Sequence, residues 1–245
     1  MNNAETLPIL LKKLQLGGIQ ISWQSMSQQA EELCWTYPQY LATLCDVEVA
    51  IRDQRRIARN IVEAKLPVGK TLDTFDFGKA PSINAAQVTA LAENTHWVSQ
   101  AQNLIIFGPS GVGKTHLAAA IGRRLIEQGM RVLFIKTTAL VHKLQLANNQ
   151  HRLSDALAQL AKFQLLILDD IGYVKKSEAE TSVLFELIAD RYETKSLVIT
   201  SNHAFDKWDD IFPNNIMAVA AIDRLVHHAT IININELSYR KTSKK

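Results

Sequence analysis

NLIIFGPSGVGKTHLAAAIGRRL, residues 103–125, decides the fold. A β-rich apolar run ends at Phe107, the loop GPSGVGKT (108–115) matches G-x-x-x-x-G-K-[ST], and a helical apolar period follows. Strand, loop and helix in that order give the motif its meaning. Gly108, Gly111 and Gly113 let the chain bend so that successive N–H groups point inward at phosphate oxygens, and the helix start adds a favourable dipole. Pro109, Ser110 and Val112 complete the cradle, and His116 follows it on the helix. Lys114 is placed to contact the β- and γ-phosphates, and Thr115 to offer a hydroxyl to Mg²⁺. The expected ligand is ATP with Mg²⁺.

Two further strands end in polar residues, where α/β sheets place their ligands. LLILDD (165–170) offers Asp169 as the Mg²⁺ partner and Asp170 as the group that polarises the attacking water or accepts its proton. Helix capping is the alternative use of these acids. LVITSN (197–202) offers Asn202, which can orient water at the γ-phosphate, although Ser-Asn at a strand end is also turn chemistry. Arg191 and Arg224 each sit near the end of a predicted helix. Either can serve as an arginine finger at a subunit interface, with surface salt-bridging as the alternative.

The spacing of these motifs predicts strands over 103–107, 131–136, 164–169, 196–201 and 229–234. Helices are predicted over 114–128, 138–148, 153–162, 178–192 and 216–228. This is an α/β P-loop core with a five-stranded parallel sheet. Residues 7–64 read as helical, broken at Gly17-Gly18, with a longer helix opening near Pro38, and 65–81 read as a connector. The expected division is a helical domain over 1–66, for DNA binding or oligomerisation, and an ATPase domain over 67–245.

Arg52, Arg55, Arg56 and Arg59 fall at i, i+3, i+4 and i+7 on the longer helix and form one stripe. Val47, Ala50, Ile51, Ile57, Ala58 and Ile61 lie opposite. Such a stripe can follow the phosphate backbone of double-stranded DNA without reading its sequence. The alternative is a solvated face partly paired with Asp53 and Glu48. Lys241, Lys244 and Lys245 add a basic tail.

Composition limits the remaining classes. A 245-residue chain, 47% hydrophobic and 21% charged with net charge +3, buries a substantial core but is not basic enough to imply nucleic acid by charge alone. Residues 1–65 carry seven basic and seven acidic side chains. No apolar run reaches the length of a membrane span and no secretory leader is recognisable, so the expected compartment is the cytoplasm, without membrane attachment. Cys34 and Cys45 belong to no metal-ligand spacing and are expected to be reduced core thiols. Trp97, Trp208, His227 and His228 match no ligand pattern and are expected to serve packing.

Taken together, GPSGVGKTHLA, LLILDDIGY with the later DRYE and VITSN, and DRLVHHATIININELSYR resemble the IstB-like family, ATP-binding helper proteins of bacterial insertion sequences. That family lies within the AAA+ group, with the DnaC-like helicase loaders and DnaA. The resemblance covers nearly the whole chain. It implies a strand order with the Asn202 strand between those carrying the P-loop and Asp169, Arg224 as the finger donated in trans, and Arg191 as a second interface residue. It also implies phosphate sensing by Arg240, adenine contact by Phe75 and Phe77, ATP-dependent homo-oligomers on DNA, and a transposase partner. Many relatives carry Asp-Glu where this chain has Asp169-Asp170, one methylene shorter. No C-terminal lid is evident after Ile234. The alternatives are a DnaC-like helicase loader, an ATP-gated DNA-binding module with little hydrolysis, and a small-molecule kinase.

Overall fold

The computed structural model describes residues 3–171, 177–203, 208 and 215–236. By its contacts the chain divides into two compact units, Met1–Arg59 and Asn60–Lys245. The division falls inside helix α3 (Tyr37–Ala64), whereas the sequence places it in the connector after residue 66. The reason lies in the last turns of α3. Asn60 donates to the Met130 carbonyl at 3.3 Å, Glu63 pairs with Arg131 at 2.9 Å, and Ala64 is fully buried.

In the first unit, α1 (Asn3–Lys13), α2 (Gly17–Glu32) and α3 share a small core of Leu11, Ile19 and Leu44, flanked by Trp23, Met26 and Tyr40. Gly17-Gly18 opens α2 and also allows a close helix approach, because a Cβ on Gly18 would stand 2.9 Å from the Glu48 Cα. The start of α2 has no local side-chain cap. Glu48, buried on α3, takes that role by accepting the Gly18 N–H at 2.6 Å and the Ile19 N–H at 3.0 Å.

Burial would raise the Glu48 pKa, but the Arg52 hydrogen bond and the two N–H groups outweigh it and hold the carboxyl below its ordinary 4.5. Its folded pKa is therefore below its unfolded one. The stabilisation is present above about pH 4.5 and is lost as pH falls through the folded value. Glu48→Ala is expected to destabilise this unit by about 1–3 kcal/mol, the cost of unmet buried donors. Hydrogen exchange at the Gly18 and Ile19 amides checks this: protection falls at neutral pH in the variant and at acid pH in the wild type. The expectation for the cysteines is corrected, since Cys34 and Cys45 are both exposed, Cys34 in the turn after α2 with a φ of 52°.

The second unit is built on a five-stranded parallel sheet in the order β2-β3-β4-β1-β5. The strands are β1 (Asn103–Phe107), β2 (Val132–Lys136), β3 (Leu165–Asp169), β4 (Ser196–Ser201) and β5 (Ala229–Asn233). β1, β3 and β4 are buried at every position, which is why they read as continuous apolar runs. Within a strand order that places β4 between β1 and β3, the ends of the strands bearing the loop, the acids and Asn202 share one edge. Trp208 and Trp97 are buried packing residues, their indole N–H groups donating to the carbonyls of His203 and Leu91.

Helices α4 (Ala85–Glu93) and α5 (His96–Ser99) precede β1, and a single 3-10 turn (Phe77–Lys79) lies in the expected connector. None of the three is foreseen from the sequence. Between strands run α6 (Lys114–Glu127), α7 (Thr137–Asn149), α8 (Leu153–Leu160), α9 (Glu178–Arg191) and α10 (Asn215–Val226). α9 starts with a capping box, Ser177 and Glu180 bonding each other's backbone N–H.

The expectation for Arg191 is also corrected. Its side chain is 1% exposed and points into the fold. One terminal nitrogen donates to the carbonyls of Phe163, Gln164 and Ser196 at 3.2, 3.1 and 2.9 Å, and the other to Leu160 at 3.4 Å. It ties the starts of β3 and β4 together and has no face left for a neighbouring subunit.

Candidate nucleotide site

The loop after β1 adopts backbone angles that side chains resist. Gly108, Gly111 and Gly113 have φ of 149°, 86° and 99°. Space is also restricted, because a Cβ on Gly108 would stand 2.5 Å from the Ile234 carbonyl oxygen, and one on Gly113 would stand 3.0 Å from the Phe75 ring. The loop ends on the first turn of α6, so its N–H groups and the helix start face the same cleft. That cleft, ≈ 860 Å³, is lined by Ser110, Gly111, Gly113, Lys114, Thr115 and the acids opposite.

Lys114 is buried, and its amine donates to the carbonyls of Gly108 at 2.7 Å and Pro109 at 2.8 Å and to Asn202 Oδ1 at 2.6 Å. Asn202 in turn donates from Nδ2 to Asp170 Oδ1 at 3.1 Å. A continuous hydrogen-bonded path therefore runs from the P-loop lysine through Asn202, just past β4, to Asp170, just past β3. Asp170 has a φ of 63°, a left-handed conformation that turns the chain sharply at the end of β3, and its N–H is held by Thr200 Oγ1 at 2.9 Å.

Asp169 sits beneath this path. Its Oδ1 accepts from Thr115 Oγ1 at 2.8 Å and Thr200 Oγ1 at 2.7 Å, and its carbonyl accepts from Thr137 at 3.0 Å. The hydroxyl and carboxylate oxygens of Thr115 and Asp169 have the separation of two neighbouring oxygens on octahedral Mg²⁺, about 2.9 Å for ligand distances of about 2.0–2.1 Å. The donor set thus fits a hard divalent cation. Thr200 and Thr137 hold Asp169 and are contacts that the sequence reading misses. Thr200 had one signal, a hydroxyl two positions before Asn202 and so on the same face of an otherwise apolar run.

Phe75 is buried against the loop, with its ring 5.2 Å from His116 and 4.9 Å from Phe77, both edge-on. His116 Nε2 bonds the Thr71 carbonyl at 2.9 Å and Thr74 Oγ1 at 3.2 Å, which fastens the segment before Phe75 to the first turn of α6. Phe75, His116, Thr74, Asp76, Lys79 and Lys70 form the outer wall of the cleft. Phe77 packs on Phe75 without lining the cleft.

Arg224 is not part of this cluster. It lies on α10, half-buried, with its guanidinium 5.0 Å from the Phe185 ring centre and one N–H on the Ala220 carbonyl at 3.1 Å. Arg240 lies outside the described residues. In the first unit Arg52, Arg55, Arg56 and Arg59 line one shallow surface with Gln15 and Asp53. Arg52 is tied to Glu48 at 2.6 Å and to the Gln15 carbonyl at 2.9 Å, and Arg56 pairs with Asp53 at 3.0 Å. Among the described residues no helix is long and apolar enough to cross a membrane.

A structure of the DnaC helicase loader superposes with a TM-score of 0.55 at 23% identity, covering 68% of this chain and 97% of that one. AMPPCP-bound DnaA from Aquifex aeolicus gives 0.57 at 21% identity, covering 71% and 52%. These likenesses show a shared fold, the α/β P-loop core. At the sequence level, "Putative insertion sequence ATP-binding protein" of Sinorhizobium fredii is 50% identical over 97% of this chain and 80% of its own length. "Insertion sequence IS21 putative ATP-binding protein" of Pseudomonas aeruginosa is 38% identical over 98% and 90%. The family model described as IstB-like ATP binding protein matches residues 9–245, and the chain belongs to that family.

Proposed function

We propose that this chain is an ATPase that works as a DNA-bound helper of transposition, assembling with ATP on duplex DNA, engaging a partner transposase and releasing on hydrolysis. The observation that carries the enzymatic part is the path Lys114–Asn202–Asp170 lying over the Thr115–Asp169 oxygen pair. The DNA and transposase parts rest on the family, on relatives named for insertion sequences, and on the arginine surface of the first unit.

Each residue then has a task. The N–H groups of the loop from Gly108 to Thr115 hold the phosphates, and Lys114 neutralises charge on them. Thr115 and Asp169 hold Mg²⁺, which when bound offsets charge on the phosphate oxygens. Asp170 takes the proton of the attacking water while Asn202 fixes that water's position. Phe75, with Phe77 behind it, bounds the space for the base.

Arg224 is proposed to act on the nucleotide of a neighbouring copy, consistent with its position away from its own cleft, with Arg240 as a further phosphate contact. Of the arginine stripe, Arg55, Arg56 and Arg59 carry the phosphate-backbone contact, while Arg52 orders the surface by holding Glu48. Arg56 exchanges an exposed pair with Asp53, which costs little to break.

Asp170→Asn separates binding from turnover. The variant is expected to bind ATP within about threefold of wild type, because phosphate contacts lie elsewhere, and to hydrolyse it about 10²-fold more slowly. With ATP it should stay on duplex DNA when wild type has dissociated. ATP turnover and DNA retention with ATP against ADP are the measurements. Unchanged turnover removes Asp170 from the mechanism; DNA retention indifferent to nucleotide removes the coupling. Capture of a replicative helicase instead of a transposase would reassign the partner and leave the enzyme intact.

A further inference from the structure

At the opposite edge of the sheet from the nucleotide cleft, two helix ends meet. Glu193 follows α9 in the turn that leads to β4, and His227 and His228 form the turn between α10 and β5. The His228 carbonyl accepts the N–H of Asn103, the first residue of β1, so this turn is fixed to the sheet. A nitrogen from each imidazole and a carboxylate oxygen of Glu193 lie within 4.8 Å of one another, and all three side chains are exposed. The two imidazole centres are 4.1 Å apart. The ATPase mechanism uses none of these groups.

Tyr192 organises the cluster from behind. Its hydroxyl is 3.0 Å from His227 Nδ1. With the imidazole Nδ1–H donating to the phenol oxygen, the lone pair is on Nε2. A metal-ligating histidine needs this arrangement, its second nitrogen held by an outer partner so that tautomer and ring orientation are set.

We propose that Glu193, His227 and His228 bind a divalent transition metal ion of the Zn²⁺ class, with water completing the coordination. Two imidazoles and one carboxylate make a borderline donor set suited to such an ion, and three protein ligands leave one position open. Tetrahedral ligation at about 2.0–2.1 Å needs donor atoms about 3.3 Å apart. All three side chains are exposed, and their rotation is what closing that gap requires. The bound ion fastens the end of α9 to the end of α10, the helix that bears Arg224 one turn earlier. This site is independent of the ATPase proposal.

The test uses the nucleotide-free full chain carrying Cys34→Ser and Cys45→Ser, so that no thiolate contributes, titrated with Co²⁺ and read by visible absorption with Zn²⁺ competition. One equivalent should bind with tetrahedral bands. Glu193→Gln and His228→Gln should each weaken binding at least about tenfold, and Tyr192→Phe by about tenfold through the outer shell. Independently, in the chain with no site residue changed, Zn²⁺ should shield His227 and His228 from diethyl pyrocarbonate and leave His142 and His151 reactive. No saturable binding below about 1 mM, affinity unchanged by the ligand substitutions, or equal shielding of all four histidines would overturn the proposal, leaving an adventitious ion only.

Discussion

Lys114→Ala is expected to lower kcat/KM for ATP by about 10³-fold or more, the scale of removing a preorganised charge from a developing anion. The magnitude follows from how the lysine is held. Its amine is buried and held in the loop by two carbonyls and Asn202, so its position is fixed, and a phosphate oxygen is bound by taking over one of these three N–H bonds. Alanine removes the charge and at the same time frees Asn202, which loses its hold on one side and keeps only Asp170 on the other. Binding and turnover should therefore both fall, unlike in Asp170→Asn, where only turnover falls. The fold should tolerate the change, because the loop conformation rests on glycine geometry and on α6, not on the amine. Expected readouts are weakened binding of a fluorescent ATP analogue and a Tm within a few degrees of wild type. Analogue binding within tenfold of wild type would place the phosphates elsewhere.

The chemistry at the loop was legible because phosphate binding needs backbone and a lysine at fixed spacing, and both are written locally in GPSGVGKT. The acids of β3 were legible for a similar reason, since charge at the end of an apolar strand has few purposes. What the sequence could not supply was contact between distant segments. Asp170 meets Asn202 only because β4 lies beside β3, a fact of topology. Thr200 looked like a strand residue, and its two bonds to the acid pair exist only in that register. The short helices α4 and α5 carry too few turns for a period to show. In the first unit, charge pattern names Glu48 as a partner for the arginine stripe but not its burial, which arises because Glu48 caps a helix distant in sequence.

Arg191 shows how a pattern can point both ways. An arginine at a helix end suggested an exposed finger, yet Leu184, Leu187, Ile188 and Arg191 fall at i, i+3, i+4 and i+7 on the buried face of α9. Burial lowers its pKa to about 10, with Asp190 opposing, which leaves the guanidinium charged at neutral pH. The charge is matched by four backbone carbonyls from the end of α8, the segment before β3 and the start of β4.

Arg191→Met is therefore expected to destabilise the second unit by about 3–5 kcal/mol. It keeps most of the volume but strips a donor from each of four carbonyls, of which Leu160 and Gln164 keep a backbone N–H, at about 1–3 kcal/mol for each group left unmet, partly offset by no longer burying a cation. Of a total stability on the order of 5–15 kcal/mol this is a large share. Denaturant titration should show a lower midpoint with an unchanged slope, and Tm should fall by about 10 °C. Arg191→Lys, which keeps the charge but stops one bond short of the carbonyls, should recover part of the loss. The location of the effect separates this reading from an interface role. A buried tie weakens the isolated chain without ATP and at any protein concentration. A subunit contact would leave that stability intact and remove only ATP-dependent assembly. Were Arg191→Met to unfold at the wild-type midpoint, the four-carbonyl tie would not be holding the sheet.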